Sequence, residues 1–314
     1  MKASPAQLLA FPGGARGAAL AVAVAAIAAW IFRGFTVDDA LVTARVASHL
    51  ANGEGYRFNI GGPPVDAVTP LGWAPLLAAF GRGTPLEMLE RARVFGVVTW
   101  LAAAGLLGAL APRSRGSRAL LLGGLGLSTP LAAWASAGME TGFVTGLATL
   151  GLVPAWPAAL ATGLAGALRP ELLPWCVTLA AGHSLATPGS SRRRLFALMR
   201  RLPLAIGPAI AAGIVRHAWF GTFAPLSSVA KAPELAHGTF YAVDAALGTG
   251  IPLLLIAPGA LARSDGRTRA LAAAVAAHFV ALIAAGGDWM ALYRLAVPVL
   301  PGALLAAARL AEGW

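Results

Sequence analysis

Two adjacent aspartates, Asp38 and Asp39, follow directly on the first apolar stretch of this chain, GAALAVAVAAIAAWIF at 17–32. A carboxylate pair at the mouth of a membrane helix is costly to place and hard to explain by packing, and ionisable residues there are functional-site candidates by default. Four further motifs carry polar chemistry: Gly138-Met139-Glu140-Thr141, Arg169-Pro170-Glu171, the stretch FGTFAPLSSVAK from Phe220 to Lys231, and Gly286-Gly287-Asp288-Trp289-Met290 with Tyr293 and Arg294 close behind. Each is weak alone and has a bland reading. Asp38 or Asp39 can cap a helix, Glu140 can be a solvated edge acid, and Arg169 with Glu171 can be an ion pair across a kinked turn. Lys231 can snorkel to an interface, Trp289 can anchor an aromatic belt, and Arg294 can be a structural partner of Asp288. What raises them above these readings is the side on which they fall.

The elements that position them belong to a membrane protein. Hydrophobic residues make up 58% of the 314 residues and charged residues 12%, with mean hydropathy +0.72; a soluble domain carries about 25% charged residues. The net charge of +11 invites a nucleic-acid reading, but many of the basic residues fall in short loops between apolar spans, as orientation signals do. No nucleic-acid partner is expected. A single cysteine, Cys176, excludes a disulfide framework and a cysteine metal site. The basic region before the first span is thin, with Lys2 and Arg16 only, so that span reads as retained rather than as a cleaved signal peptide, although Ala26-Ile27-Ala28 loosely fits a cleavage site.

About ten apolar segments are expected, near 17–33, 94–111, 119–135, 141–154, 157–168, 171–186, 202–218, 241–262, 270–285 and 295–311. Several are shorter than the roughly 20 residues of a full crossing, and those around Pro157 and Pro170 are the weakest. The fold class is therefore all-α and polytopic, one transmembrane domain over 1–314. Loops 112–118 (PRSRGSR), 190–201 (SSRRRLFALMRR) and 263–269 (RSDGRTR) are basic and belong inside with both termini. Arg192-Arg193-Arg194 reads as an orientation signal in contact with anionic lipid. Of the 13 acids, all but Asp265 and Glu312 then map to the outer face or just below it. The longest outer loop spans 34–93. Within it 37–50 has helical spacing, Asn52-Gly53-Glu54-Gly55 marks a turn, and 71–80 reads as a short interfacial helix with Trp73 at headgroup depth. The five histidines are scattered and read as packing or surface residues.

The outer-loop sequence VDDALVTARVASHLANGEGYRFNIGGPPVDAVTPLGWAPLLA resembles the first outer loop of bacterial polyprenyl-phosphate-sugar-dependent glycosyltransferases with the GT-C fold, and within them the mycobacterial arabinofuranosyltransferase-like branch. The shared pattern is Asp38-Asp39, Arg45, Asn52-Gly53-Glu54-Gly55, Asn59 and Thr69-Pro70-Leu71-Gly72-Trp73, followed in order by GMET, RPE, WFG…P…K and GGDWM…R…P…P, from about Phe35 to Pro301. Members of the group often carry a C-terminal soluble outer domain, which is missing here. Pro225-Leu226 stands where the group has Pro-Asn, and Leu41-Val42-Thr43 replaces an aromatic-rich stretch. These departures bear on acceptor binding more than on reaction class.

The resemblance implies an inverting glycosyltransferase of the bacterial plasma membrane with its site facing outside, working on cell-envelope glycan or glycolipid. Its partners would be a polyprenyl-phosphate-linked sugar donor, a glycan, lipid or protein acceptor, and membrane lipids. Such transfer needs a base for the acceptor hydroxyl and positive charge for the departing phosphate. Asp38 is the base candidate and Asp39 the alternate. Arg294 and Arg169, whose planar forks suit phosphate, and Lys231 as a point charge would bind the donor phosphate. Glu140, Glu171, Asp288, Trp289 and Arg45 would hold sugar or acceptor or orient the cations. No cofactor is certain. A divalent ion (Mg2+, Mn2+ or Ca2+) held by Asp38 and Asp39 is compatible with these oxygen ligands. A lipid-linked-sugar flippase and a non-catalytic shortened relative are the competing classes. Span interiors of Ala, Leu, Val and Gly argue against a polar path through the bilayer.

Overall fold

The computed structural model describes residues 11–226, 234–250 and 258–312. Those residues form fourteen α-helices and no strand. Four helices are long and apolar enough to cross a membrane: α1 (Gly14–Ile31), α4 (Pro85–Leu110), α10 (Ser191–Phe220) and α13 (Gly266–Ala284). Their outer faces carry exposed Leu20, Ile27, Val94, Val98, Ile210, Ile214 and Val280, an apolar exterior too extensive for a water-facing surface. The chain is read on these grounds as a helical membrane protein.

The expected ten segments do not become ten full crossings. The 119–135 segment splits into α5 (Arg115–Leu127) and α6 (Thr129–Ser136), bent by 49°. The Ser128 side chain between them accepts from the Leu131 N–H and starts a new helix, with Pro130 in its first turn. Helices α7 (Thr141–Leu150), α8 (Ala158–Leu168) and α9 (Leu173–Leu185) are apolar but short. At 1.5 Å per residue they span roughly 15–20 Å, about half to two thirds of a hydrocarbon core. Prolines 154, 157, 170 and 174 stand in the turns that end or begin them. Helix α11 (Leu235–Gly248) and α12 (Pro258–Arg263) flank residues outside the described set, within the expected 241–262 segment. The chain ends in a 3-10 turn at Val297–Val299 and α14 (Leu300–Glu312).

Within the segment 34–93, expected as one long loop, helix α4 already begins at Pro85. Thr84 and Glu87 form a reciprocal capping box: each backbone N–H is taken by the other's side chain, with Pro85 at the first helical position. Glu87, Glu90, Arg91 and Arg93 are thus the charged first turns of α4. Inside the loop, α2 (Asp38–Ala51) and α3 (Trp73–Ala78) fall close to where the spacing placed them. Trp73, expected at headgroup depth, is instead fully buried and stacks on Phe143 at 5.6 Å.

Hydrogen bonds show which elements meet at each end of the bundle. The Gly13 N–H donates to the Ala109 carbonyl at 2.9 Å, and the Arg113 N–H to Glu312 Oε1 at 2.9 Å. The start of α1, the end of α4 and the end of α14 therefore share one end. At the other end, Thr36 Oγ1 donates to the Ala137 carbonyl at 2.9 Å, which brings the start of α2 to the α6–α7 turn.

Candidate functional site

Five segments converge on a cleft of about 490 Å³, within the size range of small-molecule sites; one is the stretch Ala67–Pro70, and the other four carry the charged groups. Those four are the start of α2, the Met139-Glu140 turn, Arg169 to Glu171 between α8 and α9, and the 284–295 segment at and after the end of α13. The first turn of α2 carries both aspartates, where the positive end of the helix favours them. Consecutive helical residues point about 100° apart, and the two separate accordingly. Asp39 lines the cleft with Val42 and Thr43. Asp38 is exposed beside it and its Oδ1 accepts from the Asp39 N–H at 3.0 Å.

The cations sit in two layers. Arg294 Nε donates to Asp288 Oδ2 at 2.8 Å, and its Nη1 reaches Asp39 Oδ2 at 3.4 Å. The Asp288 side chain is 6% exposed and that of Asp39 49%, so Asp288 anchors the guanidinium from beneath while Asp39 faces the opening. The other layer is deeper. Arg169 Nε lies 2.7 Å from Glu140 Oε1, its Nη1 donates to Glu171 Oε1 at 3.2 Å and its Nη2 to Thr141 Oγ1 at 3.3 Å. Arg169 and Glu140 are almost fully enclosed, so the pair is part of the wall. Trp289 is exposed at the rim.

Backbone geometry holds this arrangement. Gly286 and Gly287 both take positive φ, 78° and 73°, and a side chain at Gly287 would meet Tyr241 Cβ at 2.7 Å; glycine is required there. Leu292 and Tyr293 also take positive φ, 57° and 53°, which is uncommon for such residues and clusters at functional sites. The Trp134 indole N–H donates to the Leu292 carbonyl at 3.0 Å, and the Leu295 N–H to the Tyr241 hydroxyl at 3.1 Å. The strained turn is clamped on both sides of Arg294.

Two features had no counterpart in the sequence reading. His278, fully buried on α13, sets Nε2 2.8 Å from the Leu295 carbonyl and Nδ1 3.2 Å from the Glu171 carbonyl. It ties the two cation layers together. Arg216 on α10 is buried against Asp66, Nε to Oδ2 at 2.9 Å, and also donates to the Thr69 carbonyl; the Leu226 N–H donates to the same Asp66 oxygen at 3.1 Å. This pair fastens the segment between α2 and α3, including cleft residues 67–70, to α10. Beside it, Tyr56 packs on Trp219 and Phe220, and burial, with Asp66 adding to it, pushes its phenol well above the usual range.

Arg45 lies away from the cleft, exposed on α2, with Nη2 donating to Asn59 Oδ1 at 3.1 Å and its guanidinium over Phe58. Lys231 lies outside the described residues. Among the described residues no three metal-ligating side chains lie close enough to hold a metal ion, and the place between Asp39 and Asp288 is taken by Arg294.

An apolar groove of about 750 Å³ begins beside the cleft. Leu292 and Tyr293, next to Arg294, line one part, and it runs between α5 and α14 past Gly124 and Leu304 to Ala119 and Ala307. Comparison with known protein families, with curated protein sequences and with solved structures finds no match for this chain.

Proposed function

We propose that this protein is an inverting glycosyltransferase that moves a sugar from a polyprenyl-phosphate donor to a hydroxyl acceptor, on the GT-C plan of about ten membrane passes, some of them partial. The observation that carries the reading is the turn Leu292–Arg294. One side of it lines an apolar groove suited to an isoprenoid tail, and the other presents a guanidinium to an acid-lined cleft. A lipid phosphate bridging the two would put its apolar and anionic parts where each is solvated.

In this reading Asp39, rather than Asp38, is the base, because it is the aspartate that lines the cleft. Asp288 keeps Arg294 Nε, leaving both Nη groups to grip the donor phosphate as a fork. The arriving phosphate would displace the longer Asp39 contact and release that carboxylate toward the acceptor. The acceptor oxygen attacks the anomeric carbon, its proton passes to Asp39, and the bond from that carbon to the phosphate oxygen breaks with its electron pair leaving on polyprenyl phosphate. Attack opposite the leaving group inverts the centre. Glu171, and behind it Arg169 with Glu140, would orient the sugar. The setting would be the bacterial plasma membrane, with the cleft outside. Arginine-rich turns at the other end of the helices support that orientation.

The test is a proteoliposome assay with a panel of polyprenyl-phosphate pentoses and hexoses and a membrane extract as acceptor source. Release of polyprenyl phosphate that depends on Asp39 and Arg294 supports the reading. Passage of intact donor across the bilayer without cleavage would instead make the protein a transporter.

A further inference from the structure

The end of α10 remote from the cleft holds a second site. At 1.5 Å per residue, Arg201 lies about 30 Å along the helix from Phe220, near the opposite boundary of a hydrocarbon core. A pocket of about 560 Å³ opens there between the first turns of α10, Trp156 and Thr187. Four arginines line it, Arg192, Arg193, Arg200 and Arg201, and no acid does.

Arg201 is the informative member. It is 9% exposed, and its Nη2 donates to the Pro154 carbonyl at 2.9 Å, which fixes the guanidinium. Its buried Nε has no hydrogen-bond partner. Arg169 and Arg216, also buried, each sit on a carboxylate; among the described residues Arg201 has none. A buried cation without a counter-charge is expensive, so this pocket is short of an anion. Arg200 is held over Trp156 at 4.7 Å and Phe196 at 5.5 Å. The first turn of α10 contains no acid, and Ser190 makes no side-chain cap bond, so its free N–H groups add to the positive potential. Leu195, Phe196 and Met199 are exposed on the same turns. Arginines interleaved with exposed apolar side chains are the pattern of a helix segment lying at a lipid interface.

We propose that this pocket binds the phosphate headgroup of an anionic phospholipid, with Arg201 and Arg193 gripping the phosphodiester and Leu195, Phe196 and Met199 against the acyl chains. The site is independent of the transfer reaction. The full chain, purified in a neutral maltoside detergent, would be titrated with phosphatidylglycerol, phosphatidylcholine and inorganic phosphate and its adducts counted by native mass spectrometry. One phosphatidylglycerol is expected to bind about tenfold more tightly than phosphatidylcholine. Arg201→Gln should lose that preference. Arg193→Gln with Arg200→Gln, both at exposed positions where folding is not at stake, should lose it as well, while Arg115→Gln in another basic turn should keep it. Equal binding of the two lipids, an equal loss in Arg115→Gln, or full displacement of the lipid by millimolar inorganic phosphate would overturn the proposal. The last result would make it a site for free phosphate.

Discussion

Arg294 places Nη1 3.4 Å from Asp39, a residue 255 positions earlier in the chain, while its Nε holds Asp288 at 2.8 Å. The short contact is the buried one and the long contact faces the opening. That asymmetry lets one guanidinium be anchored and still offer two nitrogens to an incoming anion. It also makes the two aspartates of α2's first turn unequal, since only Asp39 meets Arg294.

Asp39→Asn should lower sugar transfer by about 10²–10⁴-fold, the usual worth of a positioned base, while Asp38→Asn should change it by less than about fivefold. Initial rates of polyprenyl-phosphate release by the two variants, at equal amounts of folded protein, make the comparison.

Arg294→Lys keeps the charge but loses the fork. A lysine cannot hold Asp288 and grip a phosphate with two parallel bonds at once. Transfer should fall by at least about tenfold with a rise in the donor concentration needed for half-maximal rate, read from a donor titration.

Glu140→Ala should damage folding more than chemistry. It removes the 2.7 Å partner of Arg169 in an almost fully enclosed position and leaves Glu171 at 3.2 Å as the remaining carboxylate, so the cost should fall toward the low end of the about 3–5 kcal/mol of a broken buried pair. A large drop in melting temperature of the detergent-solubilised protein is expected. Glu140→Gln, which retains the shape, should be milder.

Asp66→Ala should free the segment between α2 and α3 from α10, because Arg216 and the Leu226 N–H lose a shared acceptor. Faster amide exchange across 56–72 is expected, with exchange in α4 unchanged. Uniform exchange in both regions would show that the pair is not a local latch.

Much of the fold was legible because apolar composition dominates it: the helical character of the spans and of 37–50 follows from periodicity alone. The number of full crossings was not. Prolines 154, 157, 170 and 174 divide apolar sequence into helices of 10 to 13 residues, and an apolar run does not reveal whether it crosses or stops halfway. The start of α4 was readable in principle, since Thr84-Pro85-Leu86-Glu87 is a capping-box sequence, but the charges that follow looked like loop. The convergence of Asp39, Glu140, Arg169, Glu171, Asp288 and Arg294 was foreshadowed by their common side. The choice between Asp38 and Asp39 was not, because it depends on the rotation of α2. The Asp66–Arg216 pair, 150 residues apart, and the bridge through His278 leave no mark in local sequence at all.

The most direct test is the release of polyprenyl phosphate from its sugar by the wild-type protein and by Asp39→Asn in proteoliposomes carrying labelled donor. Wild-type release that falls at least about a hundredfold in Asp39→Asn, the low end of what a positioned base contributes, with donor binding retained, is the expected result. Equal release by both proteins, or no release by the wild type from any donor of the panel, would contradict the assignment of the cleft as a sugar-transfer site.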